Sequence, residues 1–97
     1  MKIVAVTACP TGIAHTYMAA EQLEKTAKIL GHSIKVETQG AMGIENELSQ
    51  ADVDAADVAI IAADIALERP ERFDRIRKVD VPVQQVIRSP EAVFGRL

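Results

Sequence analysis

The chain has 97 residues, of which 48% are apolar, with three aromatic residues and a net charge of −3. This length and composition predict a single domain, residues 1–97, whose core needs neither a disulfide nor a structural metal. The apolar runs are too short to span a membrane and the N-terminus lacks a signal-peptide pattern, so we expect a cytoplasmic protein. The acidic balance and the scarcity of aromatic side chains argue against nucleic-acid binding.

A strand and a helix are predicted at the start of the chain, from an apolar run that is followed by apolar residues at helical spacing. Residues 3–8 (IVAVTA) are continuously apolar and rich in β-branched side chains, which is typical of a short buried strand. Pro10 and Gly12 then interrupt the chain. From Ile13 the apolar residues recur at helical spacing, and Gly31 follows the last of them, so a first helix is expected between these two positions.

The next segment predicts a strand, a loop and a weak helix. Residues 33–38 (SIKVET) alternate apolar and polar side chains, which indicates a strand with one wet face, placed at an edge of the sheet. Residues 39–43 form a glycine-bearing loop in this interpretation. Residues 44–55 have only a weak helical pattern, in which Ser49 and Asp52 have the spacing of a capping box.

A second apolar run and three weaker signals complete the chain. Residues 58–63 (VAIIAA) are as apolar as the first strand, so both strands are expected to be central and covered on two faces. Residues 76–79 predict a short edge strand, and Pro82 opens a helix that runs to residue 88. Ser89 and Pro90 have the types expected of a cap and a first helical residue.

Alternating strands and helices predict an α/β fold of Rossmann-like type. Right-handed crossovers give an open, mainly parallel sheet of four strands in the order 2-1-3-4, with helices on both faces. In such sheets ligands bind beyond the carboxyl ends of the strands, where the strand order reverses. That point lies between the first and third strands, and Cys9 is located there.

The loop after the first strand has the composition of an anion site. It opens the first helix, whose unpaired N–H groups and positive dipole end favour a phosphate, and the same field stabilises a thiolate. We therefore predict that Cys9, the single cysteine, is the catalytic nucleophile. The predicted phosphate-binding residues are Pro10, Thr11, Gly12, Ile13, Ala14, His15 and Thr16.

Two polar residues near this loop have more than one interpretation. His15 is either a cationic phosphate ligand or a solvated residue of the first helical turn. Asp64, at the end of the third predicted strand, either lines the site or caps the following turn, and the second interpretation is favoured. No spacing of histidine and cysteine residues indicates a metal site.

Cysteine phosphatases of the low-molecular-weight class also place a nucleophilic cysteine between a first strand and a helix. Their C-x5-R-[ST] loop holds the phosphate through a bidentate arginine. Here His15 stands at the arginine position and Thr16 follows it. Retention and onward transfer of a phosphoryl group are therefore favoured over hydrolysis.

Three segments resemble the fructose-type IIB domain of the bacterial phosphoenolpyruvate-dependent sugar phosphotransferase system: TACPTGIAHTYMAAEQLE, VETQGAMGIEN and the strand between Asp57 and Asp64. The resemblance implies that Cys9 is the family's phosphorylated cysteine. It implies a donor, the phosphohistidine of a IIA protein or domain, and an acceptor, fructose or a similar sugar that enters through a membrane IIC domain. No cofactor is implied.

Three other classes of function stay open at this point. They are a cysteine-dependent phosphatase, a thiol redox sensor that forms a reversible sulfenic acid at Cys9, and a non-catalytic anion-binding module. Turnover of an aryl phosphate without partner proteins would indicate the first, and phosphate affinity that survives Cys9→Ser would indicate the last.

Overall fold

The computed structural model describes residues 1–10 and 13–97; Thr11, Gly12 and the side chain of Ile13 lie outside the described part. One sheet of five strands carries helices on both faces. The strands are β1 (Lys2–Ala8), β2 (Ser33–Gly40), β3 (Gly43–Glu45), β4 (Val58–Ala63) and β5 (Lys78–Val81). The helices are α1 (Ile13–Leu30), α2 (Gln50–Ala55), α3 (Val83–Arg88), α4 (Pro90–Phe94) and a 3-10 helix, Pro70–Phe73.

The sheet confirms the predicted α/β class and corrects the number of strands. Four parallel strands follow the order β2-β1-β4-β5, which is the predicted order 2-1-3-4. The prediction of only four strands is wrong, because β3 folds back antiparallel onto the end of β2 and makes the outer edge. Gly43 permits this tight turn, since its φ of 86° is costly for a residue with a side chain.

The elements after β2 differ from the prediction mainly at their boundaries. The predicted helix over residues 44–55 is limited to α2, because Ile44 pairs with Gln39 in the sheet. Ser49 and Asp52 do form the expected capping box. The fifth strand begins at Lys78, two positions later than predicted, while α3 follows Pro82 as expected.

Further along the chain, Pro90 opens α4 as predicted, since its fixed φ suits a first helical residue. Ser89 occupies the cap position without a side-chain capping bond.

Apolar residues on the two faces of β1 and β4 form two core layers, as their unbroken apolar runs predict. Ile3 and Ile60 pack with α1, α3 and α4 on one face. Val4 and Ile61 pack on the other face with residues of α2 and the 3-10 helix, among them Phe73. The central strands are therefore covered on both sides. Their parallel pairing places their carboxyl ends at one edge of the sheet.

Both described chain ends lie at the opposite edge, where the parallel strands begin. The carbonyl of Met1 accepts a hydrogen bond from the N–H of Ser33 at 3.0 Å. Near the other end, the Phe94 ring stacks on His32 at a centroid distance of 6.0 Å, just before β2 starts. The edge that carries Cys9 is thus remote from both chain ends.

Candidate functional site

Cys9 follows the last residue of β1 and is almost fully buried, with 7% of its surface exposed. Its predecessor, Ala8, lies opposite Gln39 of β2 and opposite Ala63 of β4. The N–H of Asp64 donates to the carbonyl of Ala8 at 3.0 Å. Strands on both sides therefore hold the backbone that presents Cys9, at the predicted point where the strand order reverses.

The predicted phosphate-binding residues fall into a described and an undescribed part. Pro10 is exposed, and α1 starts at Ile13, so its first turn lies close behind Cys9 in the chain. Ala14 and His15 are exposed in that turn, whereas Thr16 is 2% exposed. Thr11 and Gly12 lie outside the described residues. That residues 10–16 bind phosphate therefore stays a prediction.

A buried hydrogen bond joins β1 to the start of α1. Thr7 Oγ1 donates to the carbonyl of Thr16 at 3.0 Å, and Thr7 is fully buried. This contact fixes the position of the first helical turn relative to the strand that presents Cys9. Nothing in the sequence indicated this role for Thr7, because a threonine inside an apolar, β-branched run is an ordinary strand residue.

Thr16 and Thr38 both line a narrow gap between α1 and the β2–β3 hairpin. Thr38 is only 4% exposed and lies opposite Thr7 in the β1–β2 ladder. Neither the Thr16 nor the Thr38 hydroxyl has a hydrogen-bond partner within the part of the chain that the structure describes. Buried hydroxyls without partners are uncommon in folded proteins, so this pair marks an unusual position.

The hairpin of β2 and β3 closes over this position. Tyr17 of α1 donates its phenolic hydrogen to Glu45 of β3, which ties the helix to the hairpin. The turn of the hairpin, residues 40–43, is exposed, and Met42 at its tip has 70% of its surface exposed. The hairpin was interpreted from sequence as a loop and a weak helix, so its part in the site was missed.

Asp64 makes a structural contact, but the favoured prediction that it caps the turn after its strand is wrong. Its Oδ1 accepts from the N–H of Val83 at 3.2 Å, at the first residue of α3. It therefore caps the start of α3 rather than the turn that follows β4. The carboxylate is nonetheless at the same edge as Cys9, since its N–H bonds to Ala8.

A buried ion pair lies under the carboxyl end of β2. Glu37 and Arg72 have side chains that are 0% and 2% exposed, so the predicted wet face of this strand is wrong at Glu37. The guanidinium donates to both carboxylate oxygens, at 2.7 and 3.0 Å. Burial would raise the pKa of Glu37, but hydrogen bonds from Arg72, Gln39 and the Leu48 N–H outweigh it and hold that pKa below its ordinary value.

Gln39 extends this network towards the site. Its Nε2 donates to Glu37 and to the carbonyl of Glu68, and its Oε1 accepts from the N–H of Glu68. Gln39 stands opposite Ala8, one residue before Cys9. The network therefore connects the segment before the 3-10 helix to the strand beside the cysteine.

Four exposed apolar side chains lie around this edge of the sheet. Tyr17, Met18, Met42 and Ile65 have between 40% and 70% of their surfaces exposed. They come from three segments: α1, the β2–β3 hairpin and the chain after β4. Exposed apolar side chains on a protein surface can mark a place that other proteins contact.

Residues 1–10 and 13–97 contain neither a metal-binding cluster nor a membrane-spanning helix. In this part of the chain, histidine, cysteine and acidic side chains do not gather in groups of three or more that would hold a metal ion. The helices described here include none that is both long and apolar enough to cross a membrane.

A family model and several known proteins that resemble this chain all indicate the same family. The family model of the PTS system, lactose/cellobiose-specific IIB subunit, matches residues 4–96. The fructose-like EIIB component 2 of the PTS of Escherichia coli is 48% identical over 96 residues, which are 99% of this chain and 91% of that protein. The fructose-specific EIIABC component of Bacillus subtilis is 52% identical over 95 residues, but these are 98% of this chain and 15% of that protein.

Solved structures agree with these sequences. A predicted fructose-specific IIB from Escherichia coli superposes with a TM-score of 0.94 at 45% identity, covering 98% of this chain and 84% of that one. A domain of the fructose-specific IIABC component of Borrelia burgdorferi gives 0.93 at 45% identity, covering 98% of this chain and 90% of that one. The chain therefore belongs to the IIB family of the phosphoenolpyruvate-dependent sugar phosphotransferase system.

Proposed function

We propose that Cys9 accepts a phosphoryl group from a phosphohistidine of a IIA protein or domain and passes it to fructose or a fructose-like sugar. The observation that supports this best is the place of Cys9, between β2 and β4 at the carboxyl edge and just before α1. A helix N-terminus favours both the thiolate and a bound phosphoryl group.

Two displacements at phosphorus make up the proposed transfer. In the first, the Cys9 thiolate attacks, the sulfur–phosphorus bond forms, and the bond to the histidine nitrogen breaks. In the second, a sugar hydroxyl oxygen attacks, the sulfur–phosphorus bond breaks, and the hydroxyl proton passes to solvent. The thiolate is regenerated, so the chain acts as a carrier that is not consumed.

The segment Pro10, Thr11, Gly12, Ile13, Ala14, His15 and Thr16 is proposed to hold the phosphoryl oxygens. Backbone N–H groups in the first turn of α1 have no partner within the helix and can donate to these oxygens. The bond from Thr7 to the Thr16 carbonyl supports this role, since it fixes that turn against β1. His15 is exposed in the same turn, and its proposed role is to contact the phosphoryl group or the donor protein.

The proposed partners are a IIA donor, a membrane IIC domain and the sugar. Relatives named as EIIABC or EIIBC components contain a segment like this chain within longer proteins, which supports contact with such domains. The exposed apolar side chains around the carboxyl edge give both partners a surface to contact, one after the other. We place residues 1–97 in the cytoplasm, as one phosphocarrier domain that meets the transporter at the membrane.

A cysteine-dependent phosphatase is the alternative with the nearest chemistry. It would need a cation that grips the phosphate where His15 stands. Arg72, the arginine that the structure buries, is occupied by Glu37 under the sheet. The described residues therefore favour transfer over hydrolysis.

The test is an intact-mass measurement of the wild-type chain and Cys9→Ser after incubation with phosphoenolpyruvate, enzyme I, the phosphocarrier protein and a fructose-type IIA. We expect one phosphoryl adduct on the wild type and none on the variant. A wild type that stays unmodified beside a demonstrably phosphorylated IIA would contradict the proposal. Aryl phosphate turnover without partners would instead indicate the phosphatase.

A further inference from the structure

The outer edge of β2 is covered over only part of its length. Strand β3 pairs with residues 38–40 of β2 and reaches no further. It ends at Glu45, and the next residue, Asn46, has a φ of 53°, a left-handed conformation that turns the chain away from the sheet. In the part of the chain that the structure describes, residues 33–37 therefore have β1 on one side and no strand on the other.

The main-chain groups of this open stretch point outward at alternate residues. The N–H of Ser33 donates to the carbonyl of Met1 at 3.0 Å, so Ser33 faces β1. Because hydrogen-bonding direction alternates along a strand, the N–H and C=O groups of Ile34 and Val36 face away from β1. Within residues 1–10 and 13–97, nothing hydrogen-bonds to them on that side. These two residues therefore offer two donors and two acceptors to an added strand.

A groove of about 990 Å³ lies beside this edge, between α1 and β2. The apolar side chains of Ala20, Ile34 and Val36 contribute to its floor. Thr38 lines it near the carboxyl edge of the sheet, and its hydroxyl, in a residue only 4% exposed, has no partner in the described part of the chain. A peptide that adds a strand to a sheet gains affinity from such main-chain groups and specificity from a groove that receives its alternate side chains.

The wall that α1 contributes to this groove carries charges in a fixed order. Glu21 and Glu24 lie nearer the carboxyl edge, and Lys25 and Lys28 follow towards the other edge, all four exposed. From Glu21 to Lys28 the helix rises about 10 Å. A strand advances about 3.4 Å per residue and turns every second side chain to one face, so its positions i and i+4 span a similar length. A segment antiparallel to β2, in line with β3, matches these charges when a basic residue precedes an acidic one.

A second copy of this chain fits the edge poorly. In the antiparallel register that pairs the open groups of Ile34 with those of Val36, Lys35 of one copy lies directly opposite Lys35 of the other. Like charges in that position are destabilising, and a lysine on an open edge is a common protection against self-association. Lys35 is exposed and forms an ion pair with Asp52 of its own chain. The edge therefore favours a different polypeptide.

We propose that residues 33–37 bind an extended segment of a partner protein, which adds to β2 as an antiparallel strand in line with β3. Main-chain hydrogen bonds to Ile34 and Val36 hold the segment. Its side chains that face α1 are a basic, an apolar and an acidic residue, in this order and at every second position. Binding needs no chemistry at Cys9, so the inference stands apart from the proposed transfer.

The test is an NMR titration of the whole chain with the blocked heptapeptide Ac-TKTVTET-NH2 and with its charge-reversed form, Ac-TETVTKT-NH2. We expect the first peptide to shift the amide signals of Ile34 and Val36 saturably and to bind about tenfold more tightly than the second. N-methylation of the peptide's valine, whose N–H faces β2 in this pairing, should weaken binding about tenfold or more. The matched control is N-methylation of the threonine that follows, whose N–H faces solvent.

A variant of the chain tests the order of charges. Glu21→Lys should reduce the preference between the two peptides to about threefold or less, whereas Glu91→Lys, an exposed change on α4, should leave it unchanged. Equal binding of both peptides by the wild type, or shifts that spare Ile34 and Val36, would overturn the inference. Shifts of these two amides on concentrating the chain alone would assign the edge to a second copy and overturn it too.

Discussion

Arg72 and Glu37 meet under the carboxyl end of β2 as a bidentate pair from which water is excluded. The remaining donors of Arg72 reach the carbonyls of Arg69, Leu48 and Glu68, so all five of its N–H groups are used. The hydrogen bond to Glu37 also raises the pKa of Arg72. A fully satisfied pair of this kind tolerates burial, whereas a broken one does not.

Removal of one partner is therefore expected to be severe. Arg72→Met leaves the Glu37 carboxylate buried and uncompensated, and should lower the free energy of unfolding by about 3–5 kcal/mol. Urea unfolding measures this directly. Arg75→Met, at an exposed neighbouring arginine, should change it little.

The double variant Glu37→Gln with Arg72→Met completes the test. Its loss in free energy of unfolding should be smaller than the sum of the losses of the two single variants. Each substitution removes the buried charge that the other one leaves without a partner. Strict additivity would show that the two residues do not stabilise the fold as a pair.

Acid should weaken the link between β2 and α2. Lys35 and Ser49 donate to Asp52 and lower its pKa to about 2, from an ordinary value of 3.8. Because the pKa is lower in the folded chain, the stabilisation is present above pH 3.8 and is lost as the pH falls to about 2. Thermal unfolding of Asp52→Asn should show a shallower loss of Tm over this interval than the wild type.

Removal of the phenolic hydroxyl of Tyr17 should free the hairpin without unfolding the domain. Tyr17→Phe keeps the ring and deletes the bond to Glu45. Amide hydrogen exchange in residues 40–45 should become faster, while exchange in β1 and β4 stays unchanged. Equal protection of the hairpin in both proteins would mean that Tyr17 does not hold it.

The exposed apolar residues around Cys9 can be tested with two isoleucines. Ile65 is 43% exposed and follows β4 at the carboxyl edge, and Ile29 is 75% exposed near the far end of α1. Ile65→Asp should slow phosphorylation by IIA about tenfold, equivalent to ~1.4 kcal/mol of lost interaction. Ile29→Asp introduces the same charge and should leave the rate unchanged. Similar rates for both variants would place the docking surface elsewhere.

Thr7→Val should loosen the first turn of α1. The substitution keeps the shape of the side chain but removes the bond to the Thr16 carbonyl, and should cost about 0.5–1.5 kcal/mol of stability. Chemical denaturation gives this value, and the intact-mass assay should show slower phosphorylation of Cys9. An unchanged rate would mean that the turn keeps its position without this contact.

Strong local patterns gave the fold and the position of Cys9. The apolar runs of β1 and β4 and the helical period of α1 each extend over at least six residues, and the topology rules then place Cys9 at the reversal of strand order. β3 has only three residues and too short a pattern to detect. Glu37 looked solvated because its partner Arg72 is 35 positions away, a separation that local alternation cannot reveal.

The pairing of Thr16 with Thr38 was out of reach for a related reason. Each is an ordinary residue of its own element. They line the same gap because the parallel register sets Thr38 beside Thr7, which in turn bonds to Thr16. Local sequence patterns carry no information on such register-dependent neighbours.

The location of the two chain ends, at the edge where the parallel strands begin, decides how a longer polypeptide could carry this domain. A tether joined at either end would attach on the side of the domain opposite Cys9. The edge that carries Cys9 would then point away from the tether. For the proposed transfer, such a domain could swing between a donor and an acceptor on the same tether, without unfolding and without its attachment passing in front of the thiol.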